Sequence, residues 1–382
     1  MPRHHPRRSY WRLLLPLIAI AIYLNGGCSG LRTGLERWID RTFGQATPRE
    51  QYRWSNSVDA ATLVRWDTAY LRARRDTLRI DLPHEEILAA DTNVLYTAHA
   101  WRFFLPPGRL LTIEAVAPPS AAALFGELYG ADDRRLLLWD TLTHRLTYET
   151  SAPLGENLLF LLQTAPYPDS TYRIRLRTDP SLLFPVAGAD EGDIRSFWGA
   201  SRAGGRRRHE GNDIFAARGT PLLAVTDGRV SRVRNGGLGG KTVWLRDGQR
   251  GLSYYYAHLD SQLVAAGTYV QRGDTVGLVG NTGNARTTPP HLHFGIYANG
   301  ARDPYPYLQR QDPEPDAPAF LPGRQTQVPL RGKHYLRSGP TRSAANVLRQ
   351  LEGGESFIEL GTTGRYRRIR TTRGELGYAN FD

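Results

Sequence analysis

The chain has 382 residues, 40% of them hydrophobic, which is enough for two or three domains with cores of their own and excludes a disordered polypeptide. Its 49 basic against 37 acidic residues leave a formal charge of +12, and every basic residue except Lys241 and Lys333 is arginine. Such a surface suits polyanions, but the sequence shows neither a basic helix nor an arginine–aromatic stacking platform, so no nucleic-acid partner is expected, and the lone Cys28 excludes an internal disulfide.

Arg3, Arg7, Arg8 and Arg12 precede the apolar run 13–24, which leads through Asn25-Gly-Gly to Cys28. The run is shorter than the roughly 20 residues that span a bilayer, so residues 1–28 are expected to be an export signal, with periplasm or cell envelope as destination. Cys28 stands where bacterial lipoproteins carry their acylated cysteine, which predicts membrane anchoring through its lipid. Asn25 departs from that pattern, and an uncleaved short anchor is the alternative. Residues 29–76 are expected to be helical. Leu31, Leu35, Trp38, Ile39 and Phe43 recur at helical spacing, Thr47-Pro-Arg-Glu50 has the form of a capping box, and a third helical pattern runs from Asp59 to Arg75. From 77 to 180 short alternating runs, such as Tyr172, Ile174 and Leu176 with arginines between, predict a β-sandwich-like domain in which His84, His99 and His144 lack metal-ligand spacing.

Residues 185–310 read as all-β, with turns at Asp227-Gly and Asp247-Gly. Here lie His209, Asp213, His258, His291 and His293. In an extended strand the i, i+2 pair His291/His293 sends both imidazoles to one side. One of them can bind a metal while the other handles a proton. With His209 and Asp213 this gives three protein ligands and leaves a fourth tetrahedral position for water, the arrangement of a catalytic rather than a structural zinc. Zinc lowers the pKa of that water to about 7 and polarises a carbonyl under attack. His209-Glu210 begins like the H-E-x-x-H helix, but Gly211 and Asn212 disfavour a helix and the fifth residue is Asp213. The glycine run 235–240 lacks the lysine and hydroxyl of a phosphate loop and predicts a mobile hairpin at the rim of the cleft. Tyr254 and Tyr256, four and two residues before His258, would share its face on a regular strand, as substrate contacts or as packing. A proline- and acid-rich linker spans 311–326, and 327–382 has the size of a small barrel.

His209-Glu-Gly-Asn-Asp213, Gly219-Thr-Pro-Leu-Leu-Ala-Val, Tyr256-Ala-His258, Gly273-Asp-Thr-Val-Gly and His291-Leu-His293-Phe, in that order, resemble the LytM/lysostaphin-type zinc metallopeptidases. The resemblance implies an antiparallel β peptidase fold within a mainly β chain. It also implies one zinc ion on His209, Asp213 and His293, and His258 and His291 as catalytic histidines. Tyr335-Leu-Arg-Ser-Gly-Pro340 and Gly374-Glu-Leu-Gly-Tyr378 resemble bacterial SH3-like domains, whose members bind wall peptides. Peptidoglycan is therefore the expected partner and an amide of its peptides the expected substrate, while the oligomeric state is unspecified. The alternatives are a non-catalytic LytM-type scaffold or activator, which a missing ligand would mark, and a peptidase acting on proteins.

Overall fold

The computed structural model of the protein describes residues 46–55, 58–89, 98–116, 123–139, 143–166, 171–202, 204–310, 315–319, 321–322 and 326–382. The expected export signal, Cys28 and the helical pattern 31–43 lie outside these residues. The chain divides into two units, 1–63 and 64–382, and every described strand falls in the second.

Helix α1 (Pro48–Ser55) starts at the capping box expected from its sequence. The Thr47 hydroxyl accepts from the Glu50 N–H at 3.0 Å, and the Glu50 carboxylate accepts from the Thr47 N–H at 2.7 Å. Ahead of α2 (Ala60–Arg74), the Asp59 carboxylate accepts from the Thr62 N–H at 2.9 Å.

Eight antiparallel strands follow: β1 (His84–Leu88), β2 (Ala98–Leu105), β3 (Arg109–Val116), β4 (Leu124–Tyr129), β5 (Arg135–Leu138), β6 (Arg145–Glu149), β7 (Glu156–Thr164) and β8 (Tyr172–Pro180). The sheet β1-β8-β3-β6 and the sheet β2-β7-β4-β5 share one core, with Trp101, Phe160, Ile113 and Ile174 fully buried in it. The alternation in β8 works as period-two patterning demands. Tyr172, Ile174 and Leu176 face the core, while Arg173 and Arg175 each reach Glu85 at 2.6 Å.

The next segment contains β9 (Ile194–Ser196), β10 (Ser201–Arg202), β11 (Arg207–Arg208), β12 (Asn212–Phe215), β13 (Pro221–Leu223), β14 (Gly228–Arg234), β15 (Lys241–Asp247), β16 (Leu252–Leu259), β17 (Ser261–Gln262), β18 (Tyr269–Val270), β19 (Thr275–Leu278), β20 (His291–Tyr297), β21 (Ala301–Arg302) and the short helix α3 (Tyr305–Leu308). The main sheet has the order β18-β14-β15-β16-β20-β12-β9, and the small sheet β13-β19-β17 packs on one face of it. That face is apolar: Ile214, Val243, Leu245, Tyr254, Tyr256, Leu292, Phe294 and Ile296 are all fully buried. The residues between them point to the opposite face. Arg250 joins this segment to the preceding one by a forked ion pair with Glu149 at 2.9–3.2 Å, and Arg109 donates to the Gln309 carbonyl.

The C-terminal strands β22 (His334–Arg337), β23 (Val347–Leu351), β24 (Phe357–Thr363), β25 (Tyr366–Thr371) and β26 (Leu376–Ala379) enclose a small core of Val328, Leu336, Phe357 and Ile369. β24 also pairs with β1, Ile87 opposite Thr362 and Leu88 opposite Gly361, so one nine-stranded sheet runs from this segment into the 77–180 segment. The physical reason is the exposed edge that β24 would otherwise present, together with a buried charge that needs partners. Arg368, 1% exposed, lies 3.6 Å from Glu86 and 3.3 Å from Asp76, donates to the Ala100 carbonyl at 2.7 Å and stacks over Trp101 at 5.2 Å.

Candidate active site

The second face of the main sheet holds the five residues singled out in the sequence. Asp213 on β12 sits directly opposite His293 on β20, and Phe215 opposite His291. On the far side of β20, Ala257 on β16 is opposite His293. In an antiparallel pair opposed residues share a face, so this register alone delivers Asp213, His291 and His293 to one surface. His209 joins them from the turn before β12, fixed by its N–H to the Ala200 carbonyl at 2.8 Å.

His209 Nε2, Asp213 Oδ1 and His293 Nδ1 converge at 2.9–3.0 Å from one another. The His209 Nδ1 lies 2.9 Å from the Phe197 carbonyl, an acceptor, so Nδ1 carries the hydrogen and Nε2 turns its lone pair toward the carboxylate and the second imidazole. Three electron-rich atoms facing one point are a cation site. Ligands about 2.0–2.1 Å from a tetrahedral zinc sit roughly 3.3 Å apart, close to the spacing here, and two nitrogens with one carboxylate form a donor set of catalytic zinc. Burial pulls the Asp213 carboxyl upward, but the adjacent His209 and His293 imidazoles outweigh it and hold the acid well below the usual carboxylate range. Burial lowers the His293 imidazole, against the pull of Asp213. Both shifts favour an ionised Asp213 carboxylate facing a neutral His293 ring, the protonation state that binds a cation.

His258 and His291 stand beside this triad, with ring centroids 5.1 Å apart and His258 6.0 Å from His293. Each donates Nδ1–H to a backbone carbonyl, Thr282 for His258 at 2.8 Å and Pro289 for His291 at 2.9 Å. Each therefore keeps Nε2 for other work. His291 is also stacked on Phe215 at 5.0 Å. Burial pushes the His258 imidazole down to about 4, so the near-neutral titration that an unperturbed histidine would show does not hold for it.

Tyr254 and Tyr256 are not in the cleft. Both are fully buried, the Tyr256 hydroxyl donating to the Leu223 carbonyl at 3.0 Å and the Tyr254 hydroxyl to Asp247 at 3.2 Å. The strand is not regular. Two residues of β16, Ala257 and His258, oppose the single Thr242 of β15, and His258 takes φ 66°. This bulge resets the alternation. It turns His258 to the cleft face, which it shares with Tyr255 rather than with its even-numbered neighbours.

The cleft has a volume of about 800 Å³. Leu238 and Gly239 of the β14–β15 hairpin form part of its rim, as expected of the glycine run, and the Gly239 carbonyl accepts the His258 N–H at 2.8 Å. Glu210 lines the cleft from the turn between β11 and β12, not from a helix. Sequence reasoning missed Tyr255, Tyr297 and Arg202. Arg202 donates to Asp213 Oδ2 at 2.9 Å, holding the carboxylate so that Oδ1 faces the histidines. Period-two counting back from His293 across the sheet would have found Tyr255. Nothing in the sequence marks Arg202 among so many arginines.

An extended-sheet cleft with three convergent donors and two further oriented imidazoles is the site of a metallopeptidase. Residues 207–304 match the family described as Peptidase family M23, and this segment is similar to proteins of the LytM/lysostaphin type. The L-Ala--D-Glu endopeptidase of Bacillus subtilis (strain 168) is 37% identical over 139 residues, 33% of this chain and 42% of that protein. The peptidoglycan DD-endopeptidase ShyA of Vibrio cholerae is 34% identical over 146 residues, 38% of this chain and 29% of that protein. The solved catalytic domain of lysostaphin from Staphylococcus simulans is 32% identical, covering 31% of this chain and 93% of that one, with a TM-score of 0.27. The chain thus spans less than half the length of either curated relative.

Proposed function

We propose that the protein is an exported zinc endopeptidase that hydrolyses amide bonds in peptidoglycan peptides. The observation that carries this reading is the convergence of His209 Nε2, Asp213 Oδ1 and His293 Nδ1 with the His209 tautomer set by a carbonyl. All five residues of the motif set are present, which favours a working enzyme over a scaffold. Bound zinc would supply a water of lowered pKa and polarise the substrate carbonyl. His258 and His291, each with Nδ1–H spent on the backbone, line the same cleft as the three donors and keep Nε2 for chemistry there. There they can take a proton from a nucleophile, hold a developing oxyanion, or give a proton to the departing nitrogen. The burial that holds Tyr255 and Tyr297 in their protonated forms makes their hydroxyls hydrogen-bond donors along the same wall.

Peptidoglycan as substrate rests on the named activities of the two curated relatives, and the proposed envelope location on the N-terminal signal pattern with Cys28 as lipid anchor. Among the described residues no helix is long and apolar enough to cross a membrane. The proposed catalytic segment is 185–310, after a β-sandwich-like segment, with the 311–326 linker and an SH3-like 327–382 following. The test is metal content together with digestion of purified peptidoglycan by the full chain. Zinc at one per chain and released muropeptides are expected, and undiminished digestion by a metal-free His293→Ala preparation would sink the proposal.

A further inference from the structure

The ribbon β10–β11 that borders the cleft pairs Arg202 directly with Arg207. Like charges opposite one another in a two-stranded ribbon repel, and each needs a counter-charge to be held there without cost. Arg202 has one, because its guanidinium donates to Asp213 and Ser196. Arg207 has none: it lines the cleft and is exposed, and its guanidinium has no hydrogen-bond or ion-pair partner among the described residues. Arg208 beside it is in the same state. The acids lining the cleft are Asp213, engaged with Arg202 and two histidines, and Glu210, which accepts from the Tyr297 hydroxyl at 3.5 Å. A cation at the donor triad would make the cleft more positive still. The unbalanced charge stands within the substrate-sized space and not on a distant surface, so the missing partner is one that arrives with the substrate.

We infer that Arg207, seconded by Arg208, binds a carboxylate of the peptide close to the amide that is cut, so that the cleft selects acidic peptides over uncharged ones. This rests on the endopeptidase reading above. The carboxylate is either on a side chain within the peptide or at its C-terminus, and guanidinium recognises both through the same forked pair.

Four synthetic peptides of one sequence separate these cases: glutamyl or glutaminyl next to the scissile bond, each with a C-terminal acid or amide. With zinc-loaded full chain, one acid-bearing series is expected to exceed its amide counterpart about fivefold to tenfold in kcat/KM, mainly through KM, with the ratio shrinking as salt rises. Arg207→Gln should bring that ratio near one, while Arg207→Lys should keep part of it as a point charge without the fork. Equal values for acid and amide peptides with the wild-type chain, or a ratio that survives in both variants, would overturn the inference. If zinc-loaded wild type cuts none of the four, the endopeptidase reading fails separately. Binding of the same fluorescent peptides to His293→Ala and to His293→Ala/Arg207→Gln then decides the arginine claim: tighter binding of the acid peptides, lost with Arg207, supports it, and equal binding refutes it.

Discussion

Gly211 lies between two of the converging donors, and replacing it with alanine tests how closely the site is built. A Cβ placed on its backbone falls 2.4 Å from the Phe294 carbonyl oxygen and 2.8 Å from both Cε1 and Nε2 of His293. Comfortable contact between such atoms begins near 3.5 Å, so the chain around His209 or the His293 ring must give by roughly 0.7–1 Å. The carbonyl belongs to a fully buried residue of a central strand, which leaves the imidazole and the 209–213 turn to move. Metal ligands tolerate only about 0.2 Å before affinity falls. Gly211→Ala is therefore expected to weaken zinc binding about tenfold to a hundredfold, the range in which misplaced ligands usually act, and to cost about 1–3 kcal/mol of stability through overpacking. Competition of the full chain against a chromophoric chelator measures the first, and thermal melting with and without zinc the second. A folded Gly211→Ala protein that binds zinc within twofold of wild type would refute the reasoning.

Arg202→Gln should lower zinc affinity by about tenfold or more, because the Asp213 carboxylate loses the guanidinium that orients it; the same chelator titration reads this. Arg368→Met should destabilise the 64–382 unit by about 3–5 kcal/mol, since it leaves Glu86, fully buried, without its cation. Adding Glu86→Gln should recover part of that loss in chemical denaturation, and strictly additive effects would show that the two side chains are uncoupled. Burial lowers His99 to about 3, with Arg368 adding to the shift. Glu86, which burial alone would raise, is brought to about 2 chiefly by Arg368. In both, the unfolded chain binds a proton that the folded chain does not, His99 between about pH 6.5 and 3 and Glu86 between about 4.5 and 2. Stability should therefore fall as pH is lowered through these windows, and His99→Phe should reduce the melting-temperature slope above pH 4.5, where Glu86 does not yet contribute and the lowered His258 supplies part of what is left.

Much of the site is legible because strand geometry is simple. Period two puts His291 and His293 on one side and Leu292 and Phe294 on the other, and the spacing of His209 from Asp213 spans one tight turn into a strand. The same rule fails at Tyr254 and Tyr256, since one extra residue at Ala257–His258 reverses which side chains face the cleft, and a bulge leaves no mark in composition. Arg202 and Arg207 were invisible for another reason. Their positions depend on a two-residue ribbon, and an arginine gains meaning only from what stands opposite it. The capping box at Thr47–Glu50 and the alternation in β8 were readable because their partners are local or periodic. The pairing of β24 with β1 was not, because it joins residues some 270 positions apart through an edge that no local pattern announces.

That long-range pairing changes what kind of object the catalytic segment is. Strands from before it and strands from after it belong to one sheet, so the segment 185–310 is an insertion between strands of that sheet, tied to it near both ends. Arg109 grips the Gln309 carbonyl at the exit, and Arg250 clasps Glu149 on that sheet. Cutting the chain after the peptidase would do more than remove an accessory module. It would strip β1 of its neighbour, uncover Glu86 and Trp101, and leave an open strand edge ready to recruit another molecule.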